Sequence, residues 1–221
     1  MRILMTLTFA AATTLQAAAA EMAPLARYLM PHDAEIALAR SAAPPSISGD
    51  ATIMVLGDKG YETVVKGSGK FLCLVQRSWG APFDDAEFWN PESRGPVCYN
   101  AAAARSVVPA YLERTRWVLR GLPIPEIMAR TKAVYASHKL PLPEAGAMCF
   151  MMSKGGWLNN AHDHWHPHLM FFVGNSPPAE WGAQLPGTGI YAGQSDPDPV
   201  TTYVVPVPNW SDGTPDSTTS H

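Results

Sequence analysis

The chain has 221 residues, with 16 Lys and Arg against 19 Asp and Glu, and a formal net charge of −3. A chain of this length forms one domain of ordinary size with a sizeable buried core. Its mildly acidic balance gives no electrostatic attraction to nucleic acid or to an acidic membrane, so we expect neither as a partner.

The first 20 residues show the three-part pattern of a cleavable signal peptide. Arg2 precedes an apolar stretch, and a run of alanines ending at Ala20 precedes the first acidic residue, Glu21. The apolar stretch is too short and too rich in threonine for a membrane anchor, and the later apolar runs have only the length of strands. We therefore expect cleavage before Glu21 and a secreted or periplasmic protein with no membrane span in its mature chain.

Disulfide bonds persist in such a compartment, and three cysteines would enter it: Cys73, Cys98 and Cys149. Pairing of Cys73 with Cys98 is favoured because a loop-rich segment separates them, whereas Cys149 lies in an apolar run. The other pairings, or three buried free thiols, remain open.

The first predicted elements are a short helix at residues 33–40 and then three strands. The strands lie at residues 51–56, 61–66 and 71–77. Glycine-rich turns separate them, which is typical of an antiparallel meander with tight turns. A polar loop follows at residues 82–96.

Helices come next, and strands return after them. Asn100 as a helix cap, and prolines at the first turns of the next two helices, predict helices at residues 101–107, 110–120 and 126–138. Apolar runs predict strands at residues 148–152, 169–173, 189–194 and 202–207. This order predicts an α+β fold, an antiparallel sheet of about six or seven strands with helices packed on one face. The single globular domain is predicted to span residues 21–210, and residues 211–221 are predicted to be a disordered tail.

A histidine-rich segment is the feature that points to chemistry. Residues 162–168 hold four of the seven histidines at alternating positions, namely His162, His164, His166 and His168. Pro167 disfavours a helix, so extended backbone would place the four imidazoles on one face. Because such a run stretches about 20 Å, only two or three rings could bind one ion.

The first hypothesis is an exported metal-binding domain or metalloenzyme, with zinc or copper held by this segment. A complete site would need a further ligand, and the candidates are Asp163, His138, Glu144 and Cys149. The alternating histidines, called the histidine row, are followed by Met170 and Phe172, which continue the same alternation and would lie on the same face of the strand. We therefore expect a pocket beside the histidine row.

The second hypothesis is a non-catalytic extracytoplasmic binding or interaction module. In it the histidines are structural, hydrogen-bonded to loop carbonyls near Trp157 and Trp165. An acid or base role without metal is a third. The expected partner is accordingly a small molecule or a metal ion. No motif assigns a reaction, since H-E-x-x-H is absent.

Overall fold

The computed structural model describes residues 21–158 and 165–217. Within them the chain forms one eight-stranded sheet and five α-helices, which confirms the α+β class and gives more strands than predicted. The strands are β1 Thr52–Gly57, β2 Gly60–Val65, β3 Phe71–Gln76, β4 Gly95–Asn100, β5 Met148–Met151, β6 His168–Gly174, β7 Tyr191–Gln194 and β8 Val200–Pro206. Their order in the sheet is β2-β1-β3-β4-β5-β6-β8-β7, and each neighbouring pair is antiparallel except β1 and β3.

The strand that the sequence analysis missed is β4, which pairs with β3 on one side and with β5 on the other. It begins at Gly95, inside the predicted polar loop. Cys73 and Cys98 lie directly opposite each other on β3 and β4 and form a disulfide, which confirms the favoured pairing. Cys149 is a buried free thiol. The disulfide is consistent with an oxidising compartment.

The predicted meander of the first three strands is wrong, because β3 lies parallel to β1 and not beside β2. The glycine-rich residues after β2 form a crossing segment in place of a tight turn. Ser68 N donates to Asp50 O at 3.1 Å, which holds this segment over the start of β1. A Cβ at Gly67 would lie 2.3 Å from Asp50 O, so only glycine allows the chain to cross here.

The prediction of helices on one face is also wrong, because helices cover both faces. The helices are α1 His32–Arg40, α2 Pro45–Ser48, α3 Ala101–Ser106, α4 Val108–Leu119 and α5 Ile124–Ala136. On one side, called the α1 face, α1 and α2 pack with Ile53, Cys73 and Val75. On the other, the α4 face, the last three helices pack with Leu74 and Tyr99. Alternate residues of a strand point to opposite faces of the sheet. Strands with apolar residues at both odd and even positions therefore need helices or other elements on both faces.

Asn100 links helix α3 to the sheet, and it caps α3 as the sequence predicts. Its Oδ1 accepts a hydrogen bond from Ala103 N at 2.9 Å, and its Nδ2 donates to Gly146 O at 2.8 Å. The same side chain therefore satisfies the first turn of α3 and holds the residues that lead into β5.

The chain after β8 folds back toward β5 and the start of β6. Val207 N donates to Pro167 O and Ser211 N donates to Met152 O, each at 2.9 Å. The side chain of Asp216 is only 2% exposed. Residues 211–217 thus make contacts in the region predicted as a disordered tail. Residues 218–221 and the predicted signal peptide lie outside the described residues. None of the helices in the described ranges has both the length and the apolar character needed to cross a membrane.

Candidate functional site

The predicted histidine segment is described from Trp165 onward, so His162, Asp163 and His164 lie outside the described residues. Trp165 is buried against Gly156, where a Cβ would lie 2.4 Å from the indole ring. The Trp165 indole therefore occupies space that a side chain at position 156 would fill. The Trp165 ring in turn contacts the ring of His168, with centroids 6.0 Å apart.

His166 lies at the surface and contacts the chain that follows β8. Its Nδ1 is 2.6 Å from Oδ2 of Asp216, and its side chain is 59% exposed. A carboxylate only accepts, so Nδ1 carries the hydrogen of this bond. The contact ties the C-terminal segment to the start of β6 across 50 residues of sequence.

His168 is half-buried at the start of β6. Its Nδ1 donates to the carbonyl oxygen of His166 at 2.7 Å. Because a carbonyl cannot donate, Nδ1 carries the hydrogen and the lone pair of the neutral ring lies on Nε2. Burial lowers the pKa of His168, and the nearby His166 ring adds to this effect. The surroundings of the ring therefore disfavour its charged form.

The ligand candidates from elsewhere in the sequence do not gather around these rings. Glu144 pairs with Arg105 at 2.6 Å on the surface. Cys149 is buried in the core, and its burial raises the pKa of the thiol, whereas metals bind the thiolate. Across residues 21–158 and 165–217, no three His, Cys, Asp or Glu side chains are grouped to hold a metal ion.

A separate site lies on the α4 face, where a cavity of about 300 Å³ lies between part of the sheet and the helices. The sheet wall is formed by alternate residues of β6 and β8, namely Met170, Phe172, Val200, Thr202 and Val204. The helical wall includes Val107, Ala110 and Tyr111. A cavity therefore lies at Met170 and Phe172, but none of the described histidines lines it, whereas the sequence predicts a pocket beside the histidine row. His168 precedes Met170 on the same face of β6 and does not line the cavity.

Four side chains, Arg114, Tyr135, Ser195 and Asp198, form a polar corner of this cavity. Arg114 pairs with Asp198, and both are mostly buried. The guanidinium also donates to the carbonyl of Trp79 at 3.2 Å and lies 4.1 Å above the Phe83 ring. The charge of Arg114 is thus balanced by a carboxylate, carbonyl oxygens and an aromatic face.

The hydroxyl groups of the lining keep their protons. Burial raises the pKa of Tyr135 to about 12, and the Asp198 carboxylate contributes to this rise. Burial likewise raises the pKa of Tyr99, whose hydroxyl accepts from Gln76 Nε2 at 2.6 Å. Ser195 Oγ is buried without a hydrogen-bond partner among the described residues. A turn in which Asp198 N donates to Ser195 O at 2.7 Å keeps Ser195 beside the ion pair.

Sequence reasoning missed the polar corner, because Arg114 and Asp198 are 84 residues apart. One signal was present. Tyr111, Thr115 and Val118 share a buried helix face with Arg114. An arginine on the buried face of an amphipathic helix needs a partner, and it therefore marks a polar site.

Comparison with protein-family models, with curated proteins and with solved structures finds no match to this chain.

Proposed function

We propose that the mature chain is an extracytoplasmic binding module for a small molecule, and that the cavity on the α4 face is its binding site. The cavity itself carries the proposal. Its volume of about 300 Å³ reaches the range of pockets that hold small ligands. It equals roughly ten water molecules, which is room for a molecule of one or two rings.

The location outside the cytoplasm is supported by two independent features. The first is the signal-peptide pattern of residues 1–20. The second is the disulfide between Cys73 and Cys98, because such bonds are rare in reducing compartments. Secreted or periplasmic placement is therefore part of the proposal.

The lining favours binding over acid–base chemistry. A general acid or base works best with a pKa near the operating pH. Burial instead moves the pKa of Tyr135 and Tyr99 away from neutrality. Arg114 and Asp198 neutralise each other. The cavity thus offers apolar walls and fixed polar groups, which select a ligand without transferring its protons.

A test uses isopropylbenzene, an apolar probe of suitable size, and detects its binding by saturation-transfer NMR. We expect the purified mature protein to bind it and Ala110→Phe, which fills the cavity, to abolish the signal. Ala129 is exposed on α5, so Ala129→Phe is the matched control and should bind like the wild type. Equal binding by both variants would reject the cavity as the site, provided that near-UV circular dichroism shows them folded.

Metal binding at the histidine segment is the second candidate, and one observation favours it. The Nδ1 atoms of His166 and His168 contact a carboxylate and a peptide carbonyl. Outer partners of these two kinds orient ligand histidines and direct Nε2 toward a metal. Histidines with a purely structural role make the same kinds of hydrogen bond, so these two contacts are equally compatible with the binding module proposed first. Zinc or copper would be the metal, with His162 and His164 as further ligands.

Isothermal titration with zinc chloride and with copper sulfate tests this candidate. We expect stoichiometric binding that is lost when His164, His166 and His168 are all replaced by alanine. His32 is exposed at the start of α1 and is not among the predicted ligands, so His32→Ala serves as the single-histidine control. Equal titration curves for the triple variant and the wild type would exclude the segment as a metal site.

A further inference from the structure

We infer that the cavity ligand is an uncharged, mainly apolar molecule that carries a hydrogen-bond acceptor such as a carbonyl oxygen. The inference rests on the proposed binding function and adds the chemical class of the ligand. The polar corner and the Tyr99 hydroxyl carry it, because they determine which charges and which hydrogen-bonding groups a ligand would meet.

The charge of the lining excludes an ionic ligand. Arg114 and Asp198 are the charged residues among the described lining, and they are paired with each other. A carboxylate ligand would either displace Asp198 from the guanidinium or add a second negative charge beside it, and in both cases one buried carboxylate would have no counter-charge. An ammonium ligand would leave Arg114 unpaired in the same way. Either arrangement carries the large cost of an uncompensated buried charge.

The hydroxyl groups determine the polarity of the hydrogen bond. Ser195 Oγ has no partner among the described residues, and a buried unpaired hydroxyl costs free energy that a ligand acceptor would recover. Tyr135 stays protonated because burial raises its pKa to about 12. Tyr99 accepts from Gln76, so its own hydrogen is left to donate. Three residues with hydroxyl donors thus line the cavity, and a ligand with an acceptor oxygen suits them.

The sheet wall of the cavity determines where the apolar part of the ligand would lie. Met170, Phe172, Val200 and Val204 form a continuous surface on two paired strands. These side chains are neighbours on the sheet, so the apolar body of the ligand would pack here while its oxygen reaches the donors.

Three probes of similar size separate the possibilities: acetophenone, isopropylbenzene and benzoate. They differ in having a neutral acceptor, no acceptor and a negative charge. We expect acetophenone to bind about tenfold more tightly than isopropylbenzene, since one or two hydrogen bonds contribute that factor. Benzoate should bind more weakly than both. Titration of the mature protein by NMR or calorimetry gives the three dissociation constants.

Two variants assign the effect to the donors. Ser195→Ala and Tyr135→Phe should each weaken acetophenone binding several-fold and leave isopropylbenzene binding unchanged. Ser137→Ala and Tyr191→Phe, both at exposed positions, are the matched controls and should change neither. Equal affinities for acetophenone and isopropylbenzene, or tighter binding of benzoate, would overturn the ligand class while leaving the cavity as a binding site. If none of the three probes binds, or if Ala110→Phe does not reduce their binding, the proposed function itself would be overturned.

Discussion

The two faces of the sheet differ in how they are filled. On the α1 face, small side chains at Ala39, Ala42 and Ala43 are almost completely buried, and the Sγ of Cys98 lies 3.7 Å from Ala39 O. The helix backbone therefore comes close to the strands. On the α4 face, large rings such as Tyr99 and Tyr111 stand between helix and sheet, and the cavity lies among them. Strands of one sheet thus support close packing on one side and a binding site on the other.

The largest effect should come from the ion pair that fixes α1 to the sheet. Arg77 and Glu35 are fully buried and pair at 2.8 Å, and Glu35 also accepts from Leu56 N. Arg77→Met would leave the carboxylate buried without its partner. We expect a loss of about 3–5 kcal/mol in the free energy of unfolding, measured by urea denaturation.

A double variant and a surface pair sharpen this prediction. Replacing Glu35 and Arg77 together by methionine removes both charges, so it should recover much of the lost stability. Arg105→Met breaks an exposed pair with Glu144 and should have a far smaller effect than Arg77→Met. Similar losses for the buried and the exposed pair would contradict the role assigned to Arg77.

The disulfide should have the next largest effect, because it joins two central strands on the α1 face. Cys73 and Cys98 are 25 residues apart, and closing a loop of that length stabilises by about 3 kcal/mol in the chain-entropy model. We expect the Cys73→Ala, Cys98→Ala double variant to lose about that amount. Urea denaturation of the wild type with and without reductant provides the same comparison without mutation.

Sequence reasoning found local structure better than the arrangement of the sheet. Asn100 shows its role as a helix cap directly, because a cap bonds to residues two or three positions away. The place of β3 beside β1 depends on the crossing at Gly67, and the same glycines also fit a tight turn. β4 was hidden because Gly95 and Pro96 weaken the strand pattern at its start.

The candidate site follows the same division. The alternation from the histidine row through Met170 and Phe172 predicts a pocket beside the histidines, and the cavity is lined by Met170 and Phe172 but not by His166 or His168. Its polar corner joins α4, α5 and the residues before β8, which no periodic pattern connects. Asp216 likewise contacts His166 from a region whose composition predicts disorder. Contacts between distant segments depend on packing, and single-sequence patterns report only near neighbours.

Substitutions to leucine compare the packing of the two faces directly. Ala39→Leu inserts a larger side chain into the close-packed α1 face and should destabilise by about 1–3 kcal/mol. Ala110→Leu places the same group in the cavity, where it gains apolar contacts, and should be neutral or stabilising. The midpoints of urea unfolding provide the comparison, and equal losses would mean that the cavity lacks room for the added atoms.

The smallest effect should be a pH dependence that arises on the α4 face, at His168. Burial lowers the pKa of this ring, so the unfolded chain takes up a proton at a higher pH than the folded protein does. Stability should therefore be full above the unfolded pKa of about 6.5 and should fall as the pH is lowered through it. His168→Gln keeps a hydrogen-bonding side chain and removes this titration, so its stability should depend less on pH between 7.5 and about 5. His32 is exposed at the start of α1, and the stability of His32→Gln should therefore show the same dependence on pH as that of the wild type. If the His168→Gln and wild-type curves run parallel, His168 is not held neutral by burial, and the packed environment inferred for the start of β6 is incorrect.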